Sequence, residues 1–145
     1  MIDKFEGEYA FLSNFYEAPI TYQGITYRTS EAAFQAQKTL DPQERVKFSD
    51  PSLTPGQAKR LGRKVTLRKD WEAIKIKTMY LIVLAKFEQH PNLSARLLAT
   101  GDEELIEGNA WGDTIWGVCK GTGANNLGKI LMQVRQVLTQ ETQRR

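Results

Sequence analysis

The sequence predicts a single, mostly helical domain with one short hairpin. Three observations point there. Ile20-Thr21-Tyr22-Gln23-Gly24-Ile25-Thr26-Tyr27 alternates about a glycine, the mark of two short strands joined by a tight turn. From Thr29 onward, helix starts, apolar stripes and stop signals recur. A chain of 145 residues, 41% hydrophobic and 26% charged, suits one globular domain with a real core. No internal repeat or low-complexity linker interrupts it, so residues 1–145 read as one domain.

The elements follow in order. The first stretch carries Phe5, Tyr9, Phe11 and Phe15 and reads as a strand or extended segment, turning at Ser13-Asn14. After the hairpin, residues 29–38 read as a short helix capped by Thr29 or Ser30. Residues 42–48 read as another. Thr54 caps a helix over 55–61 that Gly62 stops. The strongest helical signal is 70–89, where Trp71, Ile74, Thr78, Leu81, Ile82 and Ala85 recur at helical spacing. Met79, Tyr80, Val83, Leu84 and Phe87 widen its apolar face, so most of its last three turns should be buried. His90-Pro91 ends it, and His90 is expected to cap its C-terminus. A helix over 92–99 stops at Gly101, and Leu105-Ile106-Glu107 is a short strand candidate. A closing helix runs from the glycine-rich turn to about Gln140, with Leu127, Ile130, Leu131, Val134, Val137 and Leu138 as its buried stripe.

Composition excludes several function classes. The net charge of +3 fits an anionic ligand without demanding nucleic acid. A single Cys119 rules out an intramolecular disulfide and suits a reducing compartment. One His and one Cys argue against a metal site built from those residues. The N-terminal residues lack an apolar signal core, and no stretch has the roughly 20 apolar residues that span a bilayer. The expectation is a cytoplasmic protein needing no metal or cofactor. The oligomeric state is open.

Three stretches could carry chemistry. In the helix over 29–38, Glu31 falls in the first turn, where the macrodipole favours a negative charge. Lys38 follows two turns later on nearly the same face, with Phe34 and Gln35 between. That face would carry a carboxylate, an aromatic, an amide and an amine; the plainer alternative is a first-turn Glu and a solvent-facing Lys. Next, Trp111 and Trp116 lie in a glycine-broken segment, either as core plugs or as a flat wall for a planar ring. Asp113 between them is a second carboxylate. Finally, Gly121-Thr122-Gly123-Ala124-Asn125-Asn126 resembles an anion cradle at a helix N-terminus, or is a plain helix start. It is not a Walker motif, because no Gly-Lys-Ser/Thr closes it.

The residues together resemble the YbiA-like, or NADAR, family. The likeness rests on Ser13-Asn14-Phe15-Tyr16, Ser30-Glu31-Ala32-Ala33-Phe34-Gln35-Ala36-Gln37-Lys38, Asn109, Trp111, Asp113, Trp116-Gly117 and Asn126-Leu127-Gly128-Lys129-Ile130-Leu131-Met132. It runs in order over nearly the whole chain. One departure is Asn125, where relatives commonly carry a basic residue.

The resemblance implies a compact α+β fold, mostly helical, with a small antiparallel sheet. It also implies a metal-free N-glycosidase acting on a base joined to a phosphorylated ribose. The two substrate groups it suggests are the ribosylamino-pyrimidine phosphates of riboflavin synthesis and ADP-ribose on guanine, including ADP-ribosylated nucleic acid. The residues fit that chemistry. Cleavage develops positive charge at the ribose C1, which Glu31 could stabilise, or Glu31 could activate water. Lys38 could attack C1 and hold the opened ribose as an imine. Asp113 could move a proton or bind ribose hydroxyls. Phe15, Trp111 and Trp116 could stack the base, and Asn14, Gln35, Asn109 and Asn126 could bind substrate polar groups. Two alternatives stand beside this reading. One is a module that binds ADP-ribose or a nucleotide without cleaving it. The other is a nucleic-acid adaptor using Arg60, Arg63, Lys64, Arg68 and Lys69, a run that also fits a solvated face.

Overall fold

The computed structural model describes residues 1–144; Arg145, last in the expected domain span, lies outside the described residues. Contacts divide the chain into two compact units: residues 14–89, and residues 1–13 with the chain from His90 onward. Among the described residues, helix predominates and the one antiparallel sheet has two strands, so the fold is α+β as expected.

In the first unit, β1 (Ile20–Tyr22) pairs antiparallel with β2 (Ile25–Tyr27). Gln23 and Gly24 both take positive φ, 49° and 84°, as the tight turn between twisted strands requires. Ile20 faces Tyr27 across the ladder, and both are fully buried. The exposed edge of β1 is covered by a side chain. Gln89 Oε1 accepts the Thr21 N–H and its Nε2 donates to the Thr21 carbonyl, each at 2.8 Å.

The hairpin delivers the chain to α1 (Ser30–Ala36). Thr29 caps it, its Oγ1 accepting the Ala32 N–H at 3.1 Å. All seven residues of α1 are buried. The helix is shorter than the expected 29–38. The Gln37 N–H bonds Phe34 O at 3.1 Å, one residue short of the α pattern, and the Gln37 side chain takes over the Ala33 carbonyl at 3.0 Å. Lys38 therefore lies in a turn, its carbonyl tied to the Arg68 N–H at 2.8 Å.

Next come α2 (Pro42–Val46), the 3-10 turn Lys47–Ser49 and α3 (Pro55–Leu61). A reciprocal capping box between Thr54 and Gln57 starts α3. The unit closes with α4 (Trp71–Gln89), and α1 packs against both α3 and α4. Phe34 meets Trp71 with ring centroids 5.1 Å apart. The core face of α4 departs from expectation at two positions. Leu81 is 40% exposed, whereas Lys86 is buried, its Nζ 5.8 Å from the Tyr16 ring centroid.

In the second unit, the aromatic N-terminal stretch forms a 3-10 turn, Gly7–Leu12, instead of the expected strand. Local bonds such as Tyr9 N–H to Glu6 O direct Phe11 and Leu12 together into the core, a placement that alternation would deny them. α4 ends at Gln89 as expected, and after it stands His90. Its carbonyl accepts the Leu93 and Ser94 N–H groups at 2.9 and 3.0 Å and so opens α5 (Pro91–Ala99). Gly101, with φ of +63°, follows α5 as expected. The predicted strand at 105–107 reduces to a bridge between Ile2 and Leu105. The short parallel pair β3 (Gly108–Asn109) and β4 (Val118–Cys119) lies beyond it. α6 (Asn126–Gln143) then buries Leu127, Ile130, Leu131, Val134 and Leu138. Among the described residues no helix is long and apolar enough to cross a membrane.

Candidate active site

The sequence-predicted residues fall into two groups, one in each unit. In the first unit, Asn14 shapes the start of α1. Its carbonyl accepts the Glu31 N–H at 3.1 Å, and its Oδ1 accepts the Ser30 hydroxyl at 2.8 Å. Its amide points at Met79 Sδ, 3.4 Å away. With those atoms engaged and only 7% of its surface exposed, Asn14 acts as a positioning residue for α1. Phe15 beside it is 49% exposed.

Glu31 is 7% exposed on a helix buried all round. A carboxylate placed there is costly unless hydrogen-bonded. Gln35, one turn on, donates Nε2–H to Glu31 Oε1 at 3.0 Å. The other end of that amide, Gln35 Oε1, is buried and has no hydrogen-bond partner among the described residues. It lies against Gly62, the residue that ends α3. A Cβ at Gly62 would overlap Gln35 Oε1 and come within 2.9 Å of Gln35 Cδ. The glycine read as a helix stop thus has a second use, as room for the amide that holds Glu31. Gly62 carries a helical φ of −61°, which tells that use apart from a left-handed cap.

Lys38 is half-buried, and burial pulls its amine below the ordinary lysine value. The Glu31 carboxylate opposes that shift, while Arg63, Lys59 and Lys75 add to it. Lys38 therefore remains within the field of Glu31 although the helix stops before it. The amine is available in its neutral, nucleophilic form more readily than an ordinary lysine. Of the three surrounding cations, the sequence reading names only Arg63, as part of a basic run, and does not connect any of them with Lys38.

The second unit organises the other candidates. The Asn109 amide spans the loop, donating to Asp113 O at 2.9 Å and accepting the Asp113 N–H at 3.0 Å. Asp113 Oδ1 in turn accepts the Ile115 and Trp116 N–H groups at 3.1 and 2.9 Å. These bonds shape the loop that displays Trp111, which is 65% exposed and so not a core plug. Trp116 is half-buried. The Asn126 amide closes onto Ile115 O at 2.9 Å.

In the turn before α6, four donors at the helix start are engaged within the protein. The backbone N–H groups of Ala124, Asn125, Asn126 and Leu127 all bond carbonyls of residues 114–117, at 2.8–3.3 Å. Asn125 takes positive φ, and its side chain bridges Glu107 N and Leu105 O at 3.0 and 2.9 Å. Those four amides hold the Trp-Gly loop and are not available to a phosphate. Among the described residues, no three His, Cys, Asp or Glu side chains gather to hold a metal.

Comparison with known proteins agrees with this arrangement of elements. A solved structure, the NMR structure of the E. coli protein YbiA, superposes on all of this chain and 90% of its own with a TM-score of 0.87 and 40% identity. The N-glycosidase YbiA of Escherichia coli (strain K12) is 43% identical over 137 residues, covering 92% of this chain and 84% of that protein. The riboflavin biosynthesis protein VVA0006 of Vibrio vulnificus is 42% identical over 135 residues, 90% of this chain but 36% of that longer protein. The family model for the NADAR domain matches residues 2–139, and on that extent of agreement the chain belongs to the NADAR family.

Proposed function

We propose that this chain hydrolyses the N-glycosidic bond between a base and a phosphorylated ribose, with Glu31 and Lys38 as its catalytic pair. The observation that carries this reading is the pairing itself: a buried, amide-held carboxylate beside an amine depressed by burial. The N-glycosidase name of the E. coli relative supports the reaction class, a hydrolase of N-glycosyl bonds. The name of the Vibrio relative favours a ribosylamino-pyrimidine phosphate of riboflavin synthesis as substrate. ADP-ribose on guanine has the same reacting bond type and is the second substrate to test.

The step balances as follows. Neutral Lys38 Nζ attacks C1 of the ribose; the bond from C1 to the base nitrogen breaks, and the base leaves with a proton. The ring oxygen then departs from C1, giving an imine and a free hydroxyl. Water adds to C1 and expels the amine. The sum is substrate plus water to free base plus ribose phosphate. Glu31, negative and close, stabilises the positive charge that C1 carries as each bond breaks. Phe15, an exposed aromatic in the same unit as Glu31 and Lys38, is the stacking candidate for the base.

The test is incubation with each substrate, followed by mass detection of released base. Release shows an enzyme; substrate intact after hours leaves only a binding module. Borohydride added during turnover should trap a protein–ribose adduct at Lys38. Lys38→Arg, which keeps the charge but is no nucleophile at neutral pH, should lose both adduct and turnover. A near-wild-type Lys38→Arg with no adduct would make water the attacking group.

A further inference from the structure

A phosphorylated substrate needs an anion site, and in the turn before α6 the amides of residues 124–127 are bonded to the Trp-Gly loop. Basic side chains are spread over α3 and the start of α4, and their positions divide them. Lys59 lies in the last turn of α3, a helix that packs against α1, and Arg63 directly follows Gly62 in the turn after it. Gly62 is the residue packed against Gln35, whose amide holds Glu31. Arg60 and Lys64 turn elsewhere. With Asp50, Ser52, Leu53 and Gln57 they line a separate open hollow of about 400 Å³.

Among the described residues, neither Lys59 nor Arg63 forms an ion pair. Lys75, from the second turn of α4, has only Glu72 as a carboxylate partner, and that side chain is 79% exposed. We propose that Lys59 and Arg63, with Lys75, form the subsite that holds the substrate's phosphate beside Lys38. This rests on the N-glycosidase reading and deepens it by giving the phosphate a place.

The charges agree with that geometry. Lys59, Arg63 and Lys75 each act on the Lys38 amine, and the Glu31 carboxylate acts against them there. Cations gathered without matching anions repel one another, and a bound phosphate relieves that repulsion. Arg63 supplies a forked, planar donor suited to phosphate oxygens, while Lys59 and Lys75 supply mobile point charges. The subsite also explains selectivity: a nucleoside lacking the phosphate would leave the cations unrelieved and bind weakly.

The experiment uses inorganic pyrophosphate as a probe, so it does not depend on turnover. Binding is measured by calorimetry for the wild type, for Lys59→Gln with Arg63→Gln, and for Arg60→Gln with Lys64→Gln. Each pair removes the same charge from the same element. The expected result is a loss of about tenfold or more for the first pair, with the second pair close to wild type. Single Lys59→Gln and Arg63→Gln variants, each with a smaller loss, serve if the double variant fails to fold. With substrate, the first pair should raise KM for the phosphorylated compound more than it lowers kcat. Its preference over the dephosphorylated compound should shrink towards one. Equal losses from both pairs would make the effect diffuse charge and overturn the subsite, as would a wild type that does not bind pyrophosphate. Pyrophosphate binding with the expected pattern but no cleavage of either substrate would overturn the glycosidase reading and leave the subsite standing.

Discussion

Replacing Gly62 by alanine sets a chain-entropy gain against a steric loss, and the structure decides which wins. Gly62 has a helical φ of −61°. In open space, Gly→Ala at such a position stabilises by about 0.4–1 kcal/mol through the unfolded chain. Gly56 offers that case in the same helix, with nothing within 4 Å of an added Cβ. At Gly62 the new Cβ would overlap Gln35 Oε1 and stand 2.9 and 3.3 Å from Gln35 Cδ and Cβ. Gln35 is 5% exposed and cannot swing into water. Either the helices part, an overpacking cost of about 1–3 kcal/mol, or the amide turns and gives up the Glu31 carboxylate, a charged hydrogen bond of about 1.5–3 kcal/mol. Both exceed the gain. Gly62→Ala should therefore melt lower, by about 2–4 °C per kcal/mol lost, and Gly56→Ala slightly higher than wild type. Calorimetric melting checks the sign. Turnover checks the second half, since a displacement of Glu31 near 1 Å should cost up to about 10²-fold. A Gly62→Ala protein as stable and as active as wild type would refute the idea that this contact places Glu31.

Other expectations follow from single groups. Glu31→Gln keeps the shape of the side chain and removes its charge, so kcat should fall by about 10²–10³ while the melting temperature holds, read by base release and calorimetry. Because burial depresses the Lys38 amine, the rate should rise with pH through an apparent pKa below 10.5, and that limb should vanish in Lys38→Arg. Trp71→Ala empties a core position against Phe34 and should cost about 3–5 kcal/mol. Trp111→Ala, at 65% exposure, should change denaturant stability by less than about 0.5 kcal/mol. Burial pulls Lys86 down to about 7, so between pH 7 and 10.5 the unfolded chain holds a proton that the folded chain has released. Stability should rise with pH across that window and lie flat below it, and Lys86→Met should remove the slope in denaturant titrations at stepped pH.

Much of the fold was legible because local chemistry dictated it. The Gly24 turn, the Thr29 and Thr54 caps and Gly101 each answer a backbone requirement that a particular residue type meets. The failures share one cause: a pattern fixes periodicity but not what lies opposite. Aromatic spacing suggested a strand at the N-terminus, where Phe11 and Leu12 as neighbours needed to reach one core and a 3-10 turn took them there. Leu81 and Lys86 exchanged the burial that their side chains suggest, because α4 has a solvent side at Leu81 and the Tyr16 ring to receive Lys86. His90 follows the end of one helix as expected, but that it also opens the next shows only in its bonds to Leu93 and Ser94.

The candidate site divides along the same line. Glu31, Gln35 and Lys38 were legible because helical spacing, four residues from Glu31 to Gln35 and two turns from Glu31 to Lys38, is a local property, and Glu31 still acts on Lys38 despite the early end of α1. Asp113 and Asn126 were legible as polar groups in an unusual loop, but their chemistry was not. One oxygen of Asp113 holds two backbone amides, and the Asn126 side chain holds Ile115 O, so these atoms are engaged in shaping the loop. Gly62 shows the opposite error. Its type was noticed and its position explained by a local rule, while the contact that requires it comes from a side chain distant in sequence. On the proposed reading the catalytic pair is Glu31 and Lys38, with Gln35 bonded to the carboxylate and Gly62 packed against that amide.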